Sequence, residues 1–219
     1  MNRRTLLTSA AALAVAGVAA ALWPGKVPLP VMPAAAQDGE EVDTSRVLEM
    51  SLGNPDAEVT VVEYASFTCP HCRTFHEGAF KDLKENYIDT GRIHFIYREV
   101  YFDRFGLWAG MLARCAGPER YFGMVDMIYA GQQDWIGNGD PATIADNLRK
   151  MGRTAGLTDE EVNACLQDAD MARAMVAVYQ QNAEADAVES TPSFIIDGEK
   201  YSNMSYDEFS RILDDKLGS

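Results

Sequence analysis

The sequence predicts an α/β domain interrupted by a long helical stretch. Three observations carry this reading. Two strand-like segments flank one helical pattern in the first half. Apolar residues then recur at helical spacing from about residue 105 to 186. Strand signals return around an Asp-Gly pair near the C-terminus.

The elements follow in order. Val47 to Leu52 alternates, with Leu48, Met50 and Leu52 on one face, and Asn54-Pro55-Asp56 turns the chain. Val59 to Ala65 is β-branched and mostly apolar, as in a strand buried on both faces, although Glu63 sits inside it. A helical pattern runs from Pro70 to about Asn86, with Phe75, Ala79, Phe80 and Leu83 on its apolar side and Pro70 in the first turn, where its missing N–H costs nothing. Gly91 leads into a strand from Arg92 to Tyr101. The helical block begins with Leu107, Trp108, Met111, Leu112 and Cys115, and Gly117-Pro118 breaks it. Tyr121, Phe122, Val125 and Ile128 start the next helix. Asp140-Pro141 caps another, Thr158 and Glu161 form a capping box, and a longer helix runs from Asp170 to about Asp186. Ser193 to Ile196 and Glu199 to Ser202 are short strands joined at Asp197-Gly198. Ser205 and Glu208 open a last helix carrying Phe209, Ile212, Leu213 and Leu217.

At 219 residues and 47% hydrophobic, the chain can bury a sizeable core. A net charge of −14, with no basic cluster beyond the extreme N-terminus, argues against nucleic-acid binding, which needs Lys and Arg on phosphates. The first residues read as an export signal over 1–36. Arg3 and Arg4 precede an uncharged Ala-rich run from Thr5 to Trp23, with Ala34-Ala35-Ala36 as a cleavage candidate. The Arg pair loosely resembles a twin-arginine signal, and an uncleaved anchor is the alternative, weakened by the Ala content. Residues 37–45 look like a linker. Export places the four cysteines, Cys69, Cys72, Cys115 and Cys165, where thiols tend to be oxidised.

Cys69-Pro70-His71-Cys72 carries the chemistry. Disulfide exchange needs an attacking thiolate and a second thiol that resolves the mixed disulfide. This spacing puts Cys69 at a helix start, beside unpaired N–H groups and the positive end of the helix dipole, with Cys72 one turn in. Both effects lower the Cys69 pKa. His71 adds a donor or a positive charge. Cys69 is therefore read as nucleophile, Cys72 as resolving thiol and His71 as tuner. The competing readings are a structural disulfide and a metal site built from Cys69, Cys72 and His76. With no second C-x-x-C pair in the chain, neither a metal nor a cofactor is expected.

The run from Val61 to Cys72 resembles the DsbA family of bacterial periplasmic thiol–disulfide oxidoreductases, as do Ser190-Thr191-Pro192-Ser193-Phe194 and the Asp197-Gly198 turn. The resemblance covers roughly residues 46–219. It implies a thioredoxin-like fold, residues 46–103 and 187–219, split by a helical insertion, residues 104–186. It implies Pro192 as a cis-proline against the disulfide, Thr191 as a backbone contact for substrate, and Glu63 as a buried acid relaying the Cys72 proton. The alternatives are a proline that merely begins a strand and a Glu63 that is paired or partly solvated. Cys115 and Cys165 would bridge two insertion helices, as in some α-proteobacterial relatives, or remain separate buried thiols. The implied function is a monomeric oxidase that donates disulfides to reduced or unfolded exported proteins and is renewed by a DsbB-like membrane reoxidase. An isomerase or reductase, or a periplasmic metal carrier, is the runner-up. His94 reads as structural. Trp108, Tyr121, Phe122 and Trp135 read as core rather than groove, and so do Met124, Met127, Met171 and Met175.

Overall fold

Among the described residues, five short strands form one sheet with helices packed on it. The computed structural model describes residues 42–218, so the export signal and most of the linker lie outside the described residues. The strands are β1 (Met50–Gly53), β2 (Val59–Ala65), β3 (Ile93–Glu99), β4 (Ser193–Ile196) and β5 (Glu199–Ser202), in the spatial order β1-β3-β2-β4-β5. Only β2 and β3 pair in parallel, which requires a crossover helix between them. That crossover is α1 (Pro70–Glu77) and α2 (Ala79–Leu83), followed by a π turn at Lys84–Ile88. The single helix expected over 70–86 is therefore broken. Gly78 adopts φ −122°, ψ −101°, far from helical values, and its N–H turns back to Phe75 O.

β1 is shorter than the strand read from the sequence. Its register, Met50 opposite Tyr97, leaves Val47 and Leu48 outside the ladder. β2 lies at the centre and is buried on both faces. Val59, Val61 and Ala65 enter the main core, while Val62 and Tyr64 pack on the other side with Ile96 and Val100. Glu63 shares the face of Val61 and Ala65, because side chains alternate along a strand. Asp197 and Gly198 both have positive φ, 48° and 82°, as the tight β4–β5 turn requires.

The insertion comprises α3 (Arg104–Cys115), α4 (Tyr121–Ala130), α5 (Gln132–Ile136), α6 (Pro141–Thr154), α7 (Asp159–Leu166) and α8 (Ala169–Ala185), and α9 (Tyr206–Leu217) closes the chain. Asp103, Asp140 and Asp168 cap α3, α6 and α8, and Thr158 with Glu161 forms a reciprocal capping box on α7. At α9 the recorded cap bond is the one Ser205 accepts from Glu208 N. The insertion has no core of its own. Leu107, Leu112, Tyr121, Trp135 and Leu148 belong to the same cluster as Val61, Phe75 and Phe95. Trp108, Tyr121, Trp135, Met124 and Met175 are buried, while Phe122, Met127 and Met171 are partly exposed.

Cys115 at the end of α3 and Cys165 in α7 are joined by a disulfide across 50 residues. Replacing both by alanine is expected to lower stability by about 2–4 kcal/mol, chiefly by freeing the unfolded chain. Urea denaturation without reductant measures the loss, and Cys69 reactivity should not change.

Candidate active site

The loop after β2 delivers Cys69 to the tip of α1. Cys69 is the N-cap residue, extended at φ −79°, ψ 120°, with no side-chain cap bond. The free N–H groups of the first turn are thus left for the Cys69 sulfur. Pro70 holds the first helical position and is exposed. His71 is also exposed, whereas Cys72 is buried. Both thiols are free in this structure.

The insertion grips this loop at three points. Gln132 Nε2 of α5 donates to Phe67 O at 2.8 Å and to Cys69 O at 3.0 Å. Tyr129 Oη of α4 donates to Ser66 O at 3.3 Å. Thr68 Oγ1 donates at 2.6 Å to Asp103, the cap of α3. Sequence reasoning missed all three residues. Asp103 carried a signal, an Asp directly before a helical run, but Gln132 and Tyr129 carried none.

Across from Cys69 lies the start of β4. The Thr191–Pro192 bond is cis, and Pro192 is buried. Cys69 Sγ lies 3.4 Å from Thr191 O, to which the thiol form donates. The Cys69 pKa is lowered from 9.0 to about 5. The largest cause is the hydrogen bond from the Cys72 thiol; the Thr191 side chain and the backbone N–H groups of Cys72 and His71 add to it, against desolvation. The resolving thiol thus adds to the helix-tip amides, and His71 contributes through its main chain. Cys72 moves the opposite way, far above an ordinary thiol, first by burial, then by its hydrogen bond to Cys69 and by the charges of Glu63 and Cys69. One thiol is therefore poised as an anion while its neighbour keeps its proton.

Glu63 is fully buried beneath this pair, and it is not alone. His76 Nε2, on α1, lies 3.1 and 3.0 Å from its two carboxylate oxygens. Glu63 is thus both buried and paired, with a partner the sequence did not suggest. The same contact turns His76 Nε2 toward Glu63. Among the described residues, no cluster of three His, Cys, Asp or Glu side chains is placed to hold a metal ion. His94 lies on β3, opposite Gly53 and Thr60, away from this group. A cavity of about 210 Å³, lined by Leu48, Arg98, Arg114, Met175 and Tyr179, contains none of the active-loop residues. Cys69 itself is half-buried.

The chain matches the profile of the family described as Thioredoxin over residues 45–215. A Rickettsia bellii protein provisionally named protein-disulfide oxidoreductase is 36% identical over 168 residues, covering 76% of this chain and 63% of that protein. Disulfide bond formation protein D of Bacillus subtilis is 23% identical over 175 residues, covering 76% of each. Among solved structures, alpha-DsbA1 of Wolbachia pipientis matches with a TM-score of 0.71 at 27% identity, over 78% of this chain and 91% of that one. The chain spans about three fifths of the length of the rickettsial relatives it matches.

Proposed function

Because this chain belongs to the thioredoxin family, in its DsbA-like group, we propose that it is an exported oxidase that donates the Cys69–Cys72 disulfide to reduced client proteins. A client thiolate attacks Cys69 Sγ. The bond to Cys72 breaks, and Cys72 leaves with the electron pair and takes up a proton. A second client thiolate then attacks the client sulfur of the mixed disulfide and expels Cys69 as a thiolate. The client loses two electrons and the enzyme gains them, and a DsbB-like membrane protein would remove them again.

The single observation that carries this reading is the opposed acidity of the two thiols. A Cys69 thiolate stable down to about pH 5 is a good leaving group. It also stabilises the reduced enzyme, which makes the disulfide oxidising. Glu63, facing Cys72, is proposed as the group that accepts the Cys72 proton when the enzyme disulfide reforms. Thr191 and Pro192, against Cys69, are proposed to align the client strand.

Among the described residues, no helix is long and apolar enough to cross a membrane. With the expected export signal, we place the enzyme in the periplasm, acting as a monomer. Equilibration with glutathione tests the direction of exchange. The expected potential is well above the roughly −270 mV of thioredoxin, and a value near thioredoxin's would favour the reductase reading. Dimers or trimers in light scattering would favour the isomerase.

A further inference from the structure

Cys72 cannot close the disulfide without losing a proton, and the groups around it limit where that proton can go. Tyr97 on β3 and Tyr129 on α4 face the same space, with their hydroxyls 2.7 Å apart, but burial pushes both phenols well above their ordinary range and keeps them protonated. Cys69 is bonded to the outer sulfur of a mixed disulfide at that moment. Asp126 on α4 acts on His76 only through its charge. Glu63 on β2 remains. A carboxylate wholly out of water, however, is costly unless a hydrogen-bond donor faces it.

His76 changes that balance. Its Nε2 reaches both Glu63 oxygens, while its Nδ1 is buried and makes no hydrogen bond. A proton on Nδ1 would be an unmet buried donor, so a neutral imidazole carries its proton on Nε2, against the carboxylate. The ring has little room to turn. It stacks on Tyr129 at 4.4 Å, lies 4.5 Å from Phe80, and meets the Tyr97 ring edge-on at 5.6 Å.

We propose that His76 is a positioning residue of the exchange reaction, whose Nε2–H holds Glu63 as a carboxylate ready to take the Cys72 proton. This deepens the proposed function and rests on it. In the step concerned, Cys72 Sγ attacks Cys69 Sγ of a mixed disulfide. The Cys69–Cys72 bond forms, and the bond to the outer sulfur breaks. That sulfur leaves with the electron pair as a thiolate, and the Cys72 proton passes to Glu63. No outside oxidant is needed, since the mixed disulfide already holds the oxidising equivalent.

The test uses the full chain with Cys69 loaded as its mixed disulfide with glutathione, and glutathione release is followed against pH. His76→Phe keeps an aromatic ring between Phe80 and Tyr129 but removes the donor. It is expected to slow release about tenfold or more at neutral pH, with the rate recovering at higher pH. His76→Gln restores an N–H toward Glu63 and is expected to stay close to wild type. A folded His76→Phe with a wild-type rate and pH profile overturns the proposal. A second measurement does not depend on that variant folding. In infrared spectra of the reduced wild-type enzyme, a protonated carboxyl band that disappears in Glu63→Gln would show Glu63 to be neutral, and would overturn the proposal as well. Release rate is independent of the equilibrium potential. A thioredoxin-like potential with a slowed His76→Phe would sink the oxidase reading alone, and an oxidising potential with an unaffected His76→Phe would sink only the role of His76.

Discussion

Replacing Cys69 by serine is expected to abolish disulfide exchange, with a loss on the order of a thousandfold or more, while Cys72→Ser is expected to trap clients as mixed disulfides. The two outcomes differ because the two sulfurs differ. Cys69 is half-buried with its pKa lowered to about 5, held down by the Cys72 thiol, the Thr191 side chain and the helix-tip amides. It is the sulfur an incoming thiolate reaches. Cys72 is buried and protonated, and its task is to expel whatever Cys69 has bound. Without Cys72 the internal disulfide cannot form, so the Cys69 thiolate exchanges only with disulfides already present in clients, and Cys72 is not there to resolve the mixed disulfides that result. Refolding of a reduced substrate, read with mass spectrometry of the covalent adducts, distinguishes the two variants. A Cys69→Ser enzyme with intact turnover would end the oxidoreductase assignment.

The same thiol sets a pH dependence whose sign is fixed. The Cys69 pKa in the folded, reduced protein lies below its ordinary value of 9.0, so folding is favoured by the ionised form. That stabilisation is complete above about pH 9 and is lost as pH falls through about 5. At pH 7 the thiolate should add about 2 kcal/mol to the stability of the reduced enzyme, after allowance for solvent screening at a half-buried sulfur. The stability of the reduced form relative to the oxidised one should fall by most of that amount between pH 7 and pH 5. Urea titrations of both redox forms at several pH values measure it.

The largest expected loss of stability comes from a site remote from the thiols. Arg114→Met is expected to destabilise the fold by about 3–5 kcal/mol, because it leaves the Glu99 carboxylate buried without its partner. Only 6% of the Arg114 side chain and 4% of the Glu99 side chain reach solvent. Their two parallel contacts are 2.9 and 2.5 Å, and Tyr121 Oη donates to Glu99 at 2.7 Å. Arg114 also donates to Leu48 O at 2.8 Å. The pair thus ties the end of β3 to the end of α3 and secures the strand leading into β1. Adding Glu99→Gln to Arg114→Met removes the stranded charge and should recover part of the loss. A single variant that unfolds at the wild-type urea concentration would contradict this account.

Much of the architecture follows from local pattern, and the boundaries do not. Alternation and β-branching locate β2, β3 and the β4–β5 hairpin, because those signals act between neighbours along the chain. The break at Gly78 and the shortened β1 were less legible. The first depends on how the crossover packs over the sheet, and the second on which β3 residue Met50 meets.

The active site divides in the same way. The sequence by itself determined that Cys69 stands at a helix tip with Cys72 one turn behind, since two intervening residues and a proline at the first helical position permit little else. Only the tertiary structure decided that the Thr191 side chain joins the helix tip in acidifying Cys69, that Gln132 and Tyr129 hold the loop from 60 or so residues away, and that His76 faces Glu63. Those are contacts between groups distant along the chain. Hydrogen bonds and burial at such distances are set by the way helices pack on the sheet, and spacing along the sequence carries no record of that packing.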